Sequence, residues 1–182
     1  YGLADRRGVS RFLAGLASGF IALTVVVGLL VLTGHLAFDS IALRGFDAWR
    51  FAVEWFVAFL MVGIAEEMLL RGYLQQTLAR GIGFWPAAIL LSIVFGGLHR
   101  GNSGEETIGL VCAGLAGLVF CYGLWRTGSL WWPIGFHAAW DWGQSYFYGT
   151  PDSGTLVSRH LLVSHPMGTT FVSGGAVGPE GS

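Results

Sequence analysis

Charge is what this sequence has least of. Only 12% of its 182 residues are Asp, Glu, Lys or Arg, against about 25% in a soluble domain. Lysine is absent, the ten basic residues are scattered arginines, and the formal net charge is −1. With no basic patch to meet a phosphate backbone, a nucleic-acid partner is excluded. Cysteine is almost missing as well. Cys112 and Cys121, placed on one predicted helix, stand about 13 Å apart along its axis. They cannot bridge each other, and they carry little information about redox compartment. No signal peptide can be assigned. Arg6, Arg7 and Arg11 precede an apolar run, but "RFLAGLASGFIALTVVVGLLVLTG" is too long for an h-region and reads as a spanning helix. There is no internal repeat.

What is there is apolar: 53% of the residues are hydrophobic. The chain reads as an integral membrane protein, all-α, a polytopic transmembrane helix bundle forming a single membrane domain over residues 1–182. Five hydrophobic helices are predicted, at about 11–33, 48–79, 84–99, 106–125 and 129–148. The second is too long for one straight span. A polar connector with Asp39, Arg44 and Asp47 follows the first. Pro86 and Pro133 fall near helix starts, where proline is tolerated. Trp85, Trp125, Trp131 and Trp132 sit at predicted helix ends, as in an interfacial belt. Arg6, Arg7, Arg11, Arg80 and Arg126 lie on one face and Arg44, Arg50, Arg100 and Arg159 on the other, a balance that sets no orientation. Residues 149–182, rich in Gly, Ser and Thr, read as an extramembrane loop. The chain begins at Tyr1 and ends in "GGAVGPEGS"; both ends read as cut, with a further C-terminal helix expected.

Ionisable side chains interrupt this apolar sequence at Glu66, Glu67 and Arg71, at His99, at His137 and at Asp141. Such residues inside a membrane are functional hypotheses by default. Their depths agree. From the face marked by Arg80 and Arg126, Glu66 is about 21 Å in, His99 about 22 Å, and His137 and Asp141 about 16 and 22 Å, at 1.5 Å per helical residue. Separate helices delivering acids and imidazoles to one depth form one polar site, a cavity within the bundle. Helical geometry divides the glutamates. Glu67 and Arg71 are spaced i,i+4 with the acid first, the order that suits a structural ion pair. Glu66, turned about 100° away, is left for chemistry. An unpaired carboxylate there suits a general base acting on water, with a histidine steadying the oxyanion and Asp141 orienting an imidazole. The same groups, Glu66, His99, His137 and Asp141, also suit a divalent metal such as zinc. The spacing does not separate these two readings.

Individually the motifs are weak. The HxxxD spacing of His137 and Asp141 recurs at His35 and Asp39, where nothing else marks a site. Glu105 and Glu106 fit an acidic start to the fourth helix, where negative charge complements the dipole. The shared depth is what carries the functional reading. Two rivals keep the same cavity: a catalytically silent binding or immunity protein, and a proton-coupled transporter.

Three stretches resemble one family. "EEMLLR" (66–71) is similar to its EExxxR motif, "FGGLH" (95–99) to its FxxxH motif, and "RTGSLWWPIGFHAAWD" (126–141) to its third motif, HxxxN/D after a GSLW-PIG context. The family is the CAAX protease and bacteriocin-processing family of intramembrane endopeptidases, which includes the protease that trims prenylated CAAX proteins. The resemblance covers about residues 50–148, and "FVSGGAVGPEGS" in the tail is also familiar. It implies an all-helical membrane fold with a polar cavity open to one side, in a bacterial or archaeal cell membrane. It implies hydrolysis of a peptide or protein substrate near the bilayer, with Glu66 as the activating glutamate and His99 and His137 in the site. Asp141 takes the fourth position, where many members carry Asn. The family is described both as metal-dependent and as using a metal-free glutamate mechanism.

Overall fold

The computed structural model describes residues 2–102 and 107–181. It is mostly helical. In chain order it comprises α1 (Gly8–Leu32), β1 (Leu36–Ile41), α2 (Gly45–Glu67), α3 (Gln75–Ile82), α4 (Phe84–Leu98), α5 (Thr107–Thr127), α6 (Trp131–Trp142), β2 (Leu162–Pro166) and α7 (Thr170–Ser173). A π-helical stretch, Met68–Leu74, joins α2 to α3, and a second, Gly143–Phe147, extends α6. The long second helix of the sequence reading is thus α2, the π stretch and α3, run together. Short 3-10 turns cover His99–Gly101 and Pro179–Gly181.

By length and composition, the helical segments Gly8–Leu32, Phe84–Gly101 and Thr107–Thr127 can cross a membrane. Their sequences dictate which side faces inward. On α4, Ala87, Ala88, Leu91, Ser92 and Phe95 are buried, while Ile89, Leu90, Ile93 and Leu98 are exposed. An outward face this apolar is stable only against lipid. Helix contacts inside the bundle rely on small residues. A Cβ on Gly15 or Gly19 of α1 would run into the backbone of Trp132 and Phe136 on α6, and one on Gly135 would strike Phe12 O. Glycine lets α1 and α6 approach backbone to backbone, which gains dispersion contacts where no hydrophobic force between helices exists. α6 is also tied to α2, since Trp142 Nε1 donates to Ala52 O at 2.9 Å.

The tail differs from a plain loop. β2 pairs antiparallel with β1, Leu36 opposite Pro166 and Ile41 opposite Leu162, with a bulge between Phe38 and Ser40. Asp39 accepts from His165 at 2.9 Å, a partner far along the chain and not its i−4 neighbour His35. This ribbon is the fold's one departure, among the described residues, from an all-helical bundle. It escaped the sequence because its strands are short and their pairing is non-local. Cys112 and Cys121 form no disulfide. The acidic pair Glu105 and Glu106 lies outside the described residues.

Candidate active site

α2 ends with Glu66 and Glu67 on neighbouring faces, and the structure treats them differently. Glu67 is sealed at 0% exposure, whereas the Glu66 side chain is 41% exposed and lines a cavity of about 690 Å³. Arg71, one turn on, is also sealed. Its Nη1 donates to Glu67 Oε1 at 2.9 Å. Its guanidinium lies 4.5 Å from the Phe95 ring centre and 5.0 Å from that of Phe120. Nε and Nη2 of Arg71 have no hydrogen-bond partner among the described residues; the two negative ring faces take the charge in their place. The backbone turns π-helical from Met68, through Arg71, a local widening that recurs at functional sites.

α6 supplies His137 and Asp141. Glu67 has a second duty here: its Oε1 also lies 3.1 Å from His137 Nδ1. Beside an ionised carboxylate, that nitrogen carries the hydrogen and donates it. The other ring nitrogen, Nε2, is 3.4 Å from Asp141 Oδ2 and 3.9 Å from Glu66 Oε2. The Nδ1 partner of His137 is therefore Glu67, with Asp141 on the opposite edge. Phe120 stacks on the imidazole at 4.9 Å and 14°. His99 closes α4, its Nδ1 donating to Phe95 O at 2.8 Å and its ring packed edge-on against Phe95. Glu66, His99, His137 and Asp141 all line the same cavity.

Zinc requires several donors converging at about 2 Å. Nδ1 of His137 is held by Glu67 and Nδ1 of His99 by a carbonyl, the usual outer partners of a ligating imidazole, so each ring keeps Nε2 for a ligand. Among the described residues, no three His, Cys, Asp or Glu side chains form a ligand group. As arranged, Glu66, His99, His137 and Asp141 do not converge as such a group.

Sequence reasoning missed the far wall. Asp152, Ser153, Pro179 and Glu180, all from the tail, line the cavity beside the histidines. Asp152 Oδ2 accepts from Ser145 Oγ at 3.2 Å. Burial holds its carboxyl up at about 6, against the opposing pull of Ser145 and the two histidines. Burial raises the Glu180 carboxyl too, helped by the neighbouring Asp152. The sequence traces of this wall are the familiar tail stretch and, within it, the "GPEG" turn carrying an acid, but a glycine-rich tail has no periodicity to assign it a face.

Residues 48–143 match the family described as type II CAAX prenyl endopeptidase Rce1-like. That stretch runs from α2 to the end of α6 and contains Glu66, His99, His137 and Asp141. No curated protein and no solved structure matches the chain.

Proposed function

Because the chain belongs to the Rce1-like family of type II CAAX prenyl endopeptidases, integral membrane proteases, we propose that it hydrolyses a peptide bond with a water activated by Glu66. The observation that carries this reading is the contrast within the adjacent pair. Glu67 is sealed between Arg71 and His137, while Glu66 opens to the cavity 3.9 Å from His137 Nε2.

Glu66 takes a proton from water, and the hydroxide attacks the peptide carbonyl carbon. His137, its ring held by Glu67 through Nδ1 and by stacking on Phe120, turns its Nε2 edge toward the carbonyl oxygen. His99 meets the oxygen from α4. Each ring already donates through Nδ1, so each acts as an imidazolium whose Nε2–H donates to the charge that develops there. When the C–N bond breaks, the proton on Glu66 passes to the leaving amine, which restores the carboxylate. Asp141, on the Nε2 side of His137, orients the ring and the water. The walls contributed by Leu69, Leu98, Leu115 and Val119 suit an apolar peptide segment presented at the bilayer.

The test is turnover of a quenched fluorescent apolar peptide by purified protein in detergent. Glu66→Gln is expected to lower kcat by about 10²- to 10⁴-fold while its unfolding transition stays with that of the parent. Full activity in this variant would overturn the proposal.

A further inference from the structure

The cavity has a wall that the family match does not reach. Pro179 and Glu180 of the C-terminal segment line it, and the turn that carries them packs on α5. This segment is built to tight limits. Gly174 and Gly178 have φ of +71° and +118°, where side chains are strained. A Cβ on Gly174 would run into Gly178 O, and one on Gly178 into Pro151 O. The turn therefore closes on itself and on the loop leaving α6, and in doing so carries Glu180 into the cavity.

Two N–H donors wait for it. Glu180 Oε1 accepts from Ser153 N at 2.5 Å, and Oε2 accepts from Gln144 Nε2. Gln144 is sealed and its amide orientation is set: Oε1 accepts from Trp140 Nε1 at 2.9 Å, and Nε2 also donates to Pro151 O at 2.7 Å. Gln144 thus presents only hydrogens to residue 180. A carboxylate accepts with both oxygens, whereas an amide would set NH2 against one of the two donors. Ser153 is a non-glycine residue at φ +48°, a conformation that persists only where its surroundings hold it. The bond from its N–H to Glu180 is such a hold. Next to it Asp152 faces His99 and His137 across the cavity.

We infer that Glu180 is a positioning residue of this site: it pins the C-terminal segment into the mouth of the cavity and fixes the 152–155 turn so that Asp152 faces the histidines. The inference rests on the proteolytic reading for its catalytic consequence and on geometry alone for the pin. Burying a carboxylate is costly, and here two donors on separate elements offset that cost only while the segment is seated.

The experiment uses the full chain in detergent with two readouts. One is maleimide alkylation of Cys112, which lines the cavity on α5, whereas Cys121 is sealed. The other is cleavage of the apolar fluorescent peptide. Glu180→Gln and, independently, Gly178→Ala are expected to speed alkylation about fivefold or more by opening the seated segment. Glu180→Gln is expected to lower kcat about tenfold with KM within about twofold and an unchanged unfolding transition. Glu66→Gln should lower kcat by about 10²- to 10⁴-fold and leave alkylation at the parent rate. Parent-like alkylation and kcat in both tail variants would overturn the inference. If the parent cleaves nothing, the proteolytic reading fails and alkylation alone decides the pin: faster labelling supports it, equal labelling overturns it.

Discussion

On the α2 side of the cavity, Glu67 is sealed together with Arg71, whose guanidinium lies against two phenyl rings, and it still accepts from His137. On the tail side, Asp152 and Glu180 are held by neutral donors: a serine hydroxyl, a glutamine amide and one backbone N–H. Both walls bury acids, but only the first supplies a cation. The first arrangement carries its charge balance within it and serves as a rigid mount for His137. The second depends on the proton of Asp152 and on the tail staying seated, so it is the wall that conditions in solution can move.

The largest effect should come from breaking the balanced wall. Arg71→Met leaves Glu67 as an uncompensated buried charge and is expected to destabilise the protein by about 3–5 kcal/mol. Denaturant titration in detergent measures it, and adding Glu67→Gln to that variant should recover part of the loss, since the two residues act as a unit. A shift under 1 kcal/mol, on the order of a surface pair, would erase the distinction between the walls.

The tail wall should respond to pH instead. An acid whose folded-state value is raised binds its proton more tightly when folded, so its stabilising share is complete below the unfolded value and is lost as pH rises through the folded one. For Asp152 that window runs from 3.8 to about 6, with His137, His99 and Glu66 facing it. Hydrogen-exchange protection of residues 150–155, corrected for intrinsic rates, is therefore expected to fall as pH rises from about 5 to about 7. Asp152→Asn should flatten that fall. A profile equally steep in this variant would show that other groups govern the tail.

The smallest effect is at Ser145. Ser145→Ala removes the hydroxyl donor to Asp152 and should cost about 1 kcal/mol. That hydroxyl pulls the Asp152 carboxyl down, so its loss should move the exchange window to higher pH. A shift to lower pH would contradict the bond seen between them.

Much of the fold was legible because membrane helices announce themselves. The apolar runs at α1, α4 and α5 are long enough to span, and their polar gaps mark the connectors. Within the site, local spacing placed Glu67 with Arg71, and His137 with Asp141, because i,i+4 residues meet on one helix face whatever surrounds them. The second partner of Glu67 was invisible, since the meeting of Oε1 with His137 depends on how α2 packs on α6. The ribbon and the tail wall stayed hidden for a similar reason. β1 finds β2 more than a hundred residues along the chain, and the glycine-rich tail has no period from which a buried face can be read.

Composition and helical period alone thus determined that this is a membrane-embedded helical protein with acids and imidazoles at one depth, because lipid forbids unpaired backbone and leaves the chain few other shapes. Tertiary structure alone decided which glutamate is sealed and which opens to the cavity, and that a tail acid from outside the matched region joins the site. Those outcomes depend on contacts between distant segments, and no local pattern records what a side chain meets once the helices have packed.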